Sequence, residues 1–304
     1  MKRKSQMILI GLLCLSIFVF IGLCVSKIRP RKTTLKKDEQ IYGVTIDDSW
    51  YDTTKTADIV SALKAMPVKP TARIVMSKDT SPKDYVRLFK KIHRVAYVMA
   101  CPVDSYEMRQ YKDVKSYQKR FADSYRYLSD YTDIWEIGNE VNGSDWIKQK
   151  DTLVVSKLKA AYQIISSAGG KTALTFYYEN PKYDHDMLAW IKKNIPVRLR
   201  SKLDYSFISY YEDDNEDYQP DWQVVFSRLQ NLFPNSNVGM GECGNTAANA
   251  TKNSKGAMAK RYYTMPKYTK HYVGGYFWWE WVQDCVPHEN NSIYNAINKS
   301  LKHW

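Results

Sequence analysis

Eight short apolar, β-rich runs, separated by amphipathic stretches of helical period, constrain this chain more than any other feature. The runs lie at 41–46, 72–76, 96–101, 133–138, 172–177, 205–210, 237–241 and 275–279. Helical patterns fill the gaps at 56–64, 83–91, 116–127, 152–167, 184–193, 222–232 and 255–267. Strands that alternate with helices in this way predict a parallel sheet. A length of 304 residues suits one (β/α)8 barrel, about 250 residues, with a short extra segment. The open doubly wound alternative usually carries a Gly-rich phosphate turn after its first strand, and Gly43-Val44-Thr45-Ile46-Asp47-Asp48 has none.

The extra segment is N-terminal. After Lys2-Arg3-Lys4, residues 7–25 are uninterruptedly apolar or small, the length of a membrane span. The run ends Leu23-Cys24-Val25-Ser26-Lys27 without a small-x-small cleavage site, and this favours an uncleaved anchor over a removed signal peptide. Residues 1–26 are therefore expected to form a single-pass membrane anchor, 27–40 a basic juxtamembrane linker, and 41–304 an extracytoplasmic (β/α)8 domain. The basic residues after the span outnumber those before it, which taken alone favours the opposite orientation. Large C-terminal domains cross despite flanking charge, so the outside placement is retained.

A net charge of +13 should attract polyanions, and acidic envelope polysaccharides are one such class. No zinc-finger spacing or RNA-recognition signature points to nucleic acid. Three of the five cysteines, Cys101, Cys243 and Cys285, fall outside the apolar run, an odd number that indicates no disulfide framework. Aromatic residues make up 14% of the chain, with 24 Tyr and 9 Trp, and rings with a polar handle suit sugars, although core packing claims many of them.

Functional residues of such a barrel cluster after the C-terminal ends of its strands. Two of those ends carry a carboxylate in a distinctive setting: Trp135-Glu136-Ile137-Gly138-Asn139-Glu140 at the fourth and Gly239-Met240-Gly241-Glu242-Cys243-Gly244 at the seventh. Two carboxyl groups on opposite sides of one glycosidic bond are what glycoside hydrolysis requires, and in retaining enzymes they stand about 5–5.5 Å apart.

With an Asn-Glu pair after strand four and a lone Glu after strand seven, the chain from about Ile41 onward resembles the clan A glycoside hydrolases. The resemblance implies a retaining glycosidase acting on a β-linked polysaccharide or oligosaccharide, with Glu242 as nucleophile and Glu140 as general acid/base, and without metal or organic cofactor. It also implies that Arg73 holds Glu242 ionised, that Asn139 binds a sugar hydroxyl, that Tyr210 touches the nucleophile with Tyr211 as the register alternative, and that Trp279, rather than Trp278, forms the floor under the reacting sugar. Strand six lacks the His that often precedes that Tyr, so no single family is identified. Glu179 and Glu280 are competing carboxylates, and Trp50, Tyr51, Asp104 and Trp146 are candidates for further subsites. The contrasting expectation is a catalytically silent glycan-binding or polysaccharide-export accessory protein on the same barrel, since fold does not guarantee activity.

Overall fold

A computed structural model describes residues 33–301; the expected anchor lies outside them. Among the described residues no helix is long and apolar enough to cross a membrane. Eight parallel strands close into a barrel in sequence order: β1 (Ile41–Ile46), β2 (Thr71–Val75), β3 (Tyr97–Cys101), β4 (Ile134–Gly138), β5 (Lys171–Tyr177), β6 (Tyr205–Tyr210), β7 (Asn237–Cys243) and β8 (Tyr272–Trp278), with β8 pairing back to β1. The principal helices are α1 (Thr56–Lys64), α2 (Val86–Ile92), α3 (Val114–Leu128), α4 (Asp151–Ser167), α5 (Met187–Asn194), α6 (Trp222–Leu232), α7 (Lys252–Tyr263) and α8 (Ser292–Ser300). Carboxylates start several of them: Asp113, Asp186 and Asp221 each accept a first-turn N–H, which satisfies donors that the helix cannot.

Alternate strand residues face opposite sides, and here the two sides are an inner and an outer core. Ile41, Met99, Ile134, Ala173, Tyr205, Phe207 and Phe277 fill the lower interior, while a larger cluster joins the outer strand faces to the helices. Two residues further along the same inward faces the lining turns polar: Met99 is followed by Cys101, Ile134 by Glu136, Ala173 by Thr175 and Phe207 by Ser209. The chemistry is stacked on an apolar plug.

Strand β7 departs from strict alternation. Ile208 pairs with Met240 but Ser209 pairs with Glu242, so Gly241 is an extra residue on β7. Such a bulge re-aims the side chain after it; here Glu242 takes the place beside inward-facing Ser209, and Cys243 joins the outer core. Only glycine fits the bulge, because a Cβ on Gly241 would lie 2.6 Å from Phe207 Cβ. On the neighbouring strand, Gly275 has φ +94° and a Cβ there would sit 2.0 Å from the Met240 carbonyl oxygen.

The stretch expected to be free linker is docked where it is described. Leu35 is buried in the inner cluster at the N-terminal end of the barrel. Thr33 donates to Asp133 (2.6 Å), the Lys171 ammonium to the Leu35 carbonyl (2.7 Å), and His271 meets Asp38 at 2.8 Å. These partners sit at the starts of β4, β5 and β8, so residues 33–40 close the barrel floor.

Candidate active site

Glu140 and Glu242 line one open cavity of about 190 Å³ at the C-terminal end of the barrel. Asp104, Tyr106, Trp146, Tyr177, Tyr211 and Trp279 line it with them. The two acids have different partners. Glu242 receives the Tyr211 hydroxyl on Oε1 at 2.7 Å and faces Arg73 Nη1 with Oε2 at 2.7 Å. Glu140 accepts only hydroxyls, Ser209 at 2.6 Å and Ser105 at 2.9 Å.

Burial pushes the Glu140 carboxyl up to about 8, helped by the neighbouring Glu242 charge. Burial also pushes Glu242 up to about 7, but the Arg73 charge and the Tyr211 hydrogen bond oppose that rise. Two carboxyls that interact this closely titrate as a pair. The first proton to bind therefore goes to Glu140, which has no cation beside it, and leaves Glu242 ionised.

Arg73 is fully buried. Its Nε donates to Glu136 Oε2 at 2.8 Å, and Glu136 also receives the Thr175 hydroxyl. The guanidinium is thus clamped between two acids on β4 and β7. A buried pair broken from one side leaves an uncompensated charge, at a cost of about 3–5 kcal/mol. Arg73→Met is accordingly expected to lower the melting temperature by roughly 10 °C, measured by calorimetry. Adding Glu136→Gln should recover part of that loss; a double variant as unstable as the single one would contradict the charge argument.

Tyr210 is not at the cavity. It points outward, donates to the Tyr218 carbonyl and packs edge-on against Trp222 at 5.2 Å. Tyr205, Phe207 and Ser209 already occupy the inward face of β6, so the next inward position is 211, and it is the Tyr211 hydroxyl that reaches Glu242. The same parity carries Phe277 to Trp279, which lines the cavity, while Trp278 is buried outside with its indole N–H donating to Asp284 at 2.9 Å. Asn139 is buried behind the cavity lining; its amide N–H donates to Asp104 at 3.2 Å and its Oδ1 lacks a partner among the described residues.

Glu140 leaves β4 in left-handed backbone, φ +45°, a conformation that costs a non-glycine residue of order 1–3 kcal/mol and carries its side chain over the mouth. Glu280 stands apart, 3.9 Å from Lys255, and Glu179 lines an adjoining depression. Trp50 and Tyr51 stack on each other at 4.2 Å beside a separate surface hollow. Cys243 is buried, donates to the Tyr276 carbonyl at 3.0 Å and has its thiol pushed well above the ordinary range by burial, so it cannot serve as a nucleophile here. Among the described residues no group of His, Cys, Asp and Glu is arranged to hold a metal ion. Most of the aromatic excess is core: Trp135, Trp281, Tyr117, Tyr262 and Tyr272 are fully buried.

Charge is distributed against the expectation of an acidic ligand. Eight of the 45 Lys and Arg, and none of the 32 Asp and Glu, lie outside residues 33–301. Asp104, Glu140, Asp214 and Glu242 face the cavity, and no Lys or Arg joins them in its lining.

No family model matches the chain, and no curated protein matches it in sequence. Solved structures do resemble it. A glucosidase from Croceicoccus marinus superposes with a TM-score of 0.53 at 13% identity over 81% of this chain, which spans 61% of that enzyme's length. Saccharomyces cerevisiae Gas2p, in complex with laminaritriose and laminaritetraose, gives 0.54 at 13% identity over 90% of this chain and 68% of its own. β-Glycosidase BGL167 gives 0.51 at 10% identity, covering 88% and 97%. Likeness at such identities is likeness of fold, and the fold of this chain is a (β/α)8 barrel shared with these glycosidases.

Proposed function

We propose that the chain is a retaining glycoside hydrolase that cleaves a β-linked, uncharged glycan. One observation carries this reading: two buried carboxyls share a cavity, and only one of them is served by a cation and a phenol. The division of partners matches the division of labour that double displacement needs, one acid ionised and the other protonated. In the first step a Glu242 oxygen bonds to the anomeric carbon, the glycosidic C–O bond breaks, and the Glu140 proton passes to the departing oxygen. Water then attacks the same carbon, its proton returns to Glu140, and the ester to Glu242 breaks.

Retention is supported by the short route between the two acids. Glu140 hydrogen-bonds Ser209 at 2.6 Å, and Ser209 is the lateral strand neighbour of Glu242, with adjacent strands about 4.8 Å apart. An uncharged substrate is supported by the lining, where Asp104, Glu140, Asp214 and Glu242 face the cavity without a Lys or Arg among them. Residues 1–26 are proposed to anchor the enzyme in the cell membrane with its catalytic domain outside, where polysaccharide is encountered. The laminari-oligosaccharides bound by Gas2p make β-linked glucans a first choice of substrate.

The test is covalent. Incubation with activated 2-deoxy-2-fluoro-β-glycosides should add the mass of one sugar to the peptide containing Glu242. Labelling of Glu280, or labelling by no sugar at all, would remove the proposal. The pH profile of kcat/KM should be bell-shaped. Activity falls below about 7 as Glu242 gains a proton and above about 8 as Glu140 loses one, since each shift is upward from the ordinary carboxylate range. An optimum near pH 5 would show that neither acid is held as described.

A further inference from the structure

The two ends of the barrel differ in charge. Between each strand and the next principal helix, on the side of the mouth, the loops hold eight Lys and Arg against twenty-two Asp and Glu. Between each principal helix and the next strand, together with residues 33–40, they hold nine Lys and Arg against five Asp and Glu. Six of the eight principal helices also end toward this floor in a basic last turn. Cations there suit the helix dipole of any barrel, and the floor loops add further cations to them.

The acids of the floor are turned to structural partners. Asp133 accepts the Thr33 hydroxyl and, at 2.9 Å, the Val98 N–H. Asp204 accepts the Thr172 N–H at 2.8 Å and its hydroxyl at 2.9 Å. Asp38 meets His271, and Glu39 accepts the Lys36 N–H at 2.7 Å. The cations are left over. Lys37, Lys171 and Lys202 line one hollow of about 290 Å³ with Ser201, Asn235 and the already engaged Asp204. None of the three lysines is within ion-pair distance of a carboxylate among the described residues. Lys171 spends one donor on the Leu35 carbonyl, and burial pushes its ammonium down from the ordinary lysine range. An ammonium has three donors, so it has more to give. The wall is steadied by the Asn235 amide, which donates to the Ser201 carbonyl at 2.9 Å.

The chain enters the described domain at this same floor, where Thr33 is bonded to Asp133. Residue 26 to residue 33 spans at most about 25 Å of extended chain, and Lys27, Arg29, Arg31 and Lys32 lie along it. We propose that the floor docks on a bilayer carrying anionic phospholipid, with a headgroup phosphate seated among Lys37, Lys171 and Lys202. Basic groups close to such a surface are each drawn to it, and the attraction fades within a Debye length. The acidic mouth is repelled by the same field, so the barrel stands upright with Glu140 and Glu242 remote from the lipid. The docking is independent of the chemistry at the mouth, and it rests on the proposed anchor only for bringing the floor within reach.

The experiment uses the full chain in nanodiscs of phosphatidylcholine alone and of equal parts phosphatidylcholine and phosphatidylglycerol, with acylation of each lysine followed by mass. On the anionic discs Lys37 and Lys202 should react about fivefold more slowly than on the neutral ones. Lys148 and Lys150, in a mouth loop, should react equally on both, and high salt should abolish the difference at the floor. Lys37→Gln combined with Lys202→Gln, at exposed positions, should bring Lys36 and Lys270 close to one rate on both discs without lowering the melting temperature. Equal wild-type rates on the two discs overturn the docking. So does equal protection by free glycerol phosphate on neutral discs, which would mark a site for a soluble phosphate. The anchor is read separately, from retention on both discs in high salt; a chain that high salt strips from both loses the anchor, while the low-salt rates still decide the docking. A chain that associates with neither disc at low salt overturns both.

Discussion

Glu242→Ala is expected to lower kcat by on the order of 10⁵–10⁶-fold, the scale seen when a covalent nucleophile is removed. Nothing nearby can substitute. Cys243 faces the outer core, Tyr211 is the phenol bonded to the missing group, and Arg73 is a cation. The loss should be partly reversed by azide, which fits the vacated space beside Arg73 and attacks the anomeric carbon directly. Direct attack gives a glycosyl azide of inverted configuration, readable by NMR. Folding should survive, since the change removes one buried acid and leaves Arg73 paired with Glu136.

Glu140→Ala is expected to cost less and to cost it selectively. On a glycan, whose leaving oxygen needs a proton, the loss should be roughly 10²–10⁴-fold, the usual worth of a placed acid or base. On a dinitrophenyl glycoside, whose leaving group departs unprotonated, the first step should be nearly intact. The trapped ester then waits for a base, and azide should relieve it with retained configuration. The alkaline limb of the pH profile should disappear as well. Equal losses on both substrates, or azides of the same configuration from both variants, would undo the assignment of the two acids.

Much of this was legible in the residues. Strand and helix periods predicted the barrel, and β1 and β6 lie exactly where their apolar runs do. What escaped has physical causes. Parallel barrel strands are buried on both faces, so Tyr205-Ser206-Phe207-Ile208-Ser209-Tyr210 shows no alternation that would tell inside from outside, and its pattern does not decide between Tyr210 and Tyr211 as the inward phenol. The extra residue at Gly241 leaves no mark beyond a glycine, yet it extends β7 through Glu242 and sends Cys243 outward. Glu136 carries a signal of its own: a carboxylate in the middle of a buried strand must be paired, and among the described residues Arg73 is the one cation placed mid-strand to pair with it. Polar composition hid the docking of residues 33–40, because a single leucine, Leu35, carries it. The gathering of Trp146, Tyr177 and Trp279 around the two acids is a property of loops brought together by closure of the barrel, and no local pattern encodes it.

The floor made by residues 33–40 has a directional consequence. Thr33 enters beside the starts of the strands, while substrate enters beside their ends, about 20 Å away along strands of this length. Were the chain tethered through residues 1–26, as proposed, the pull would fall on the closed pole of the molecule, and the open pole would look the other way. A glycosidase hung like that would graze on strands passing overhead, with its back to the surface that holds it.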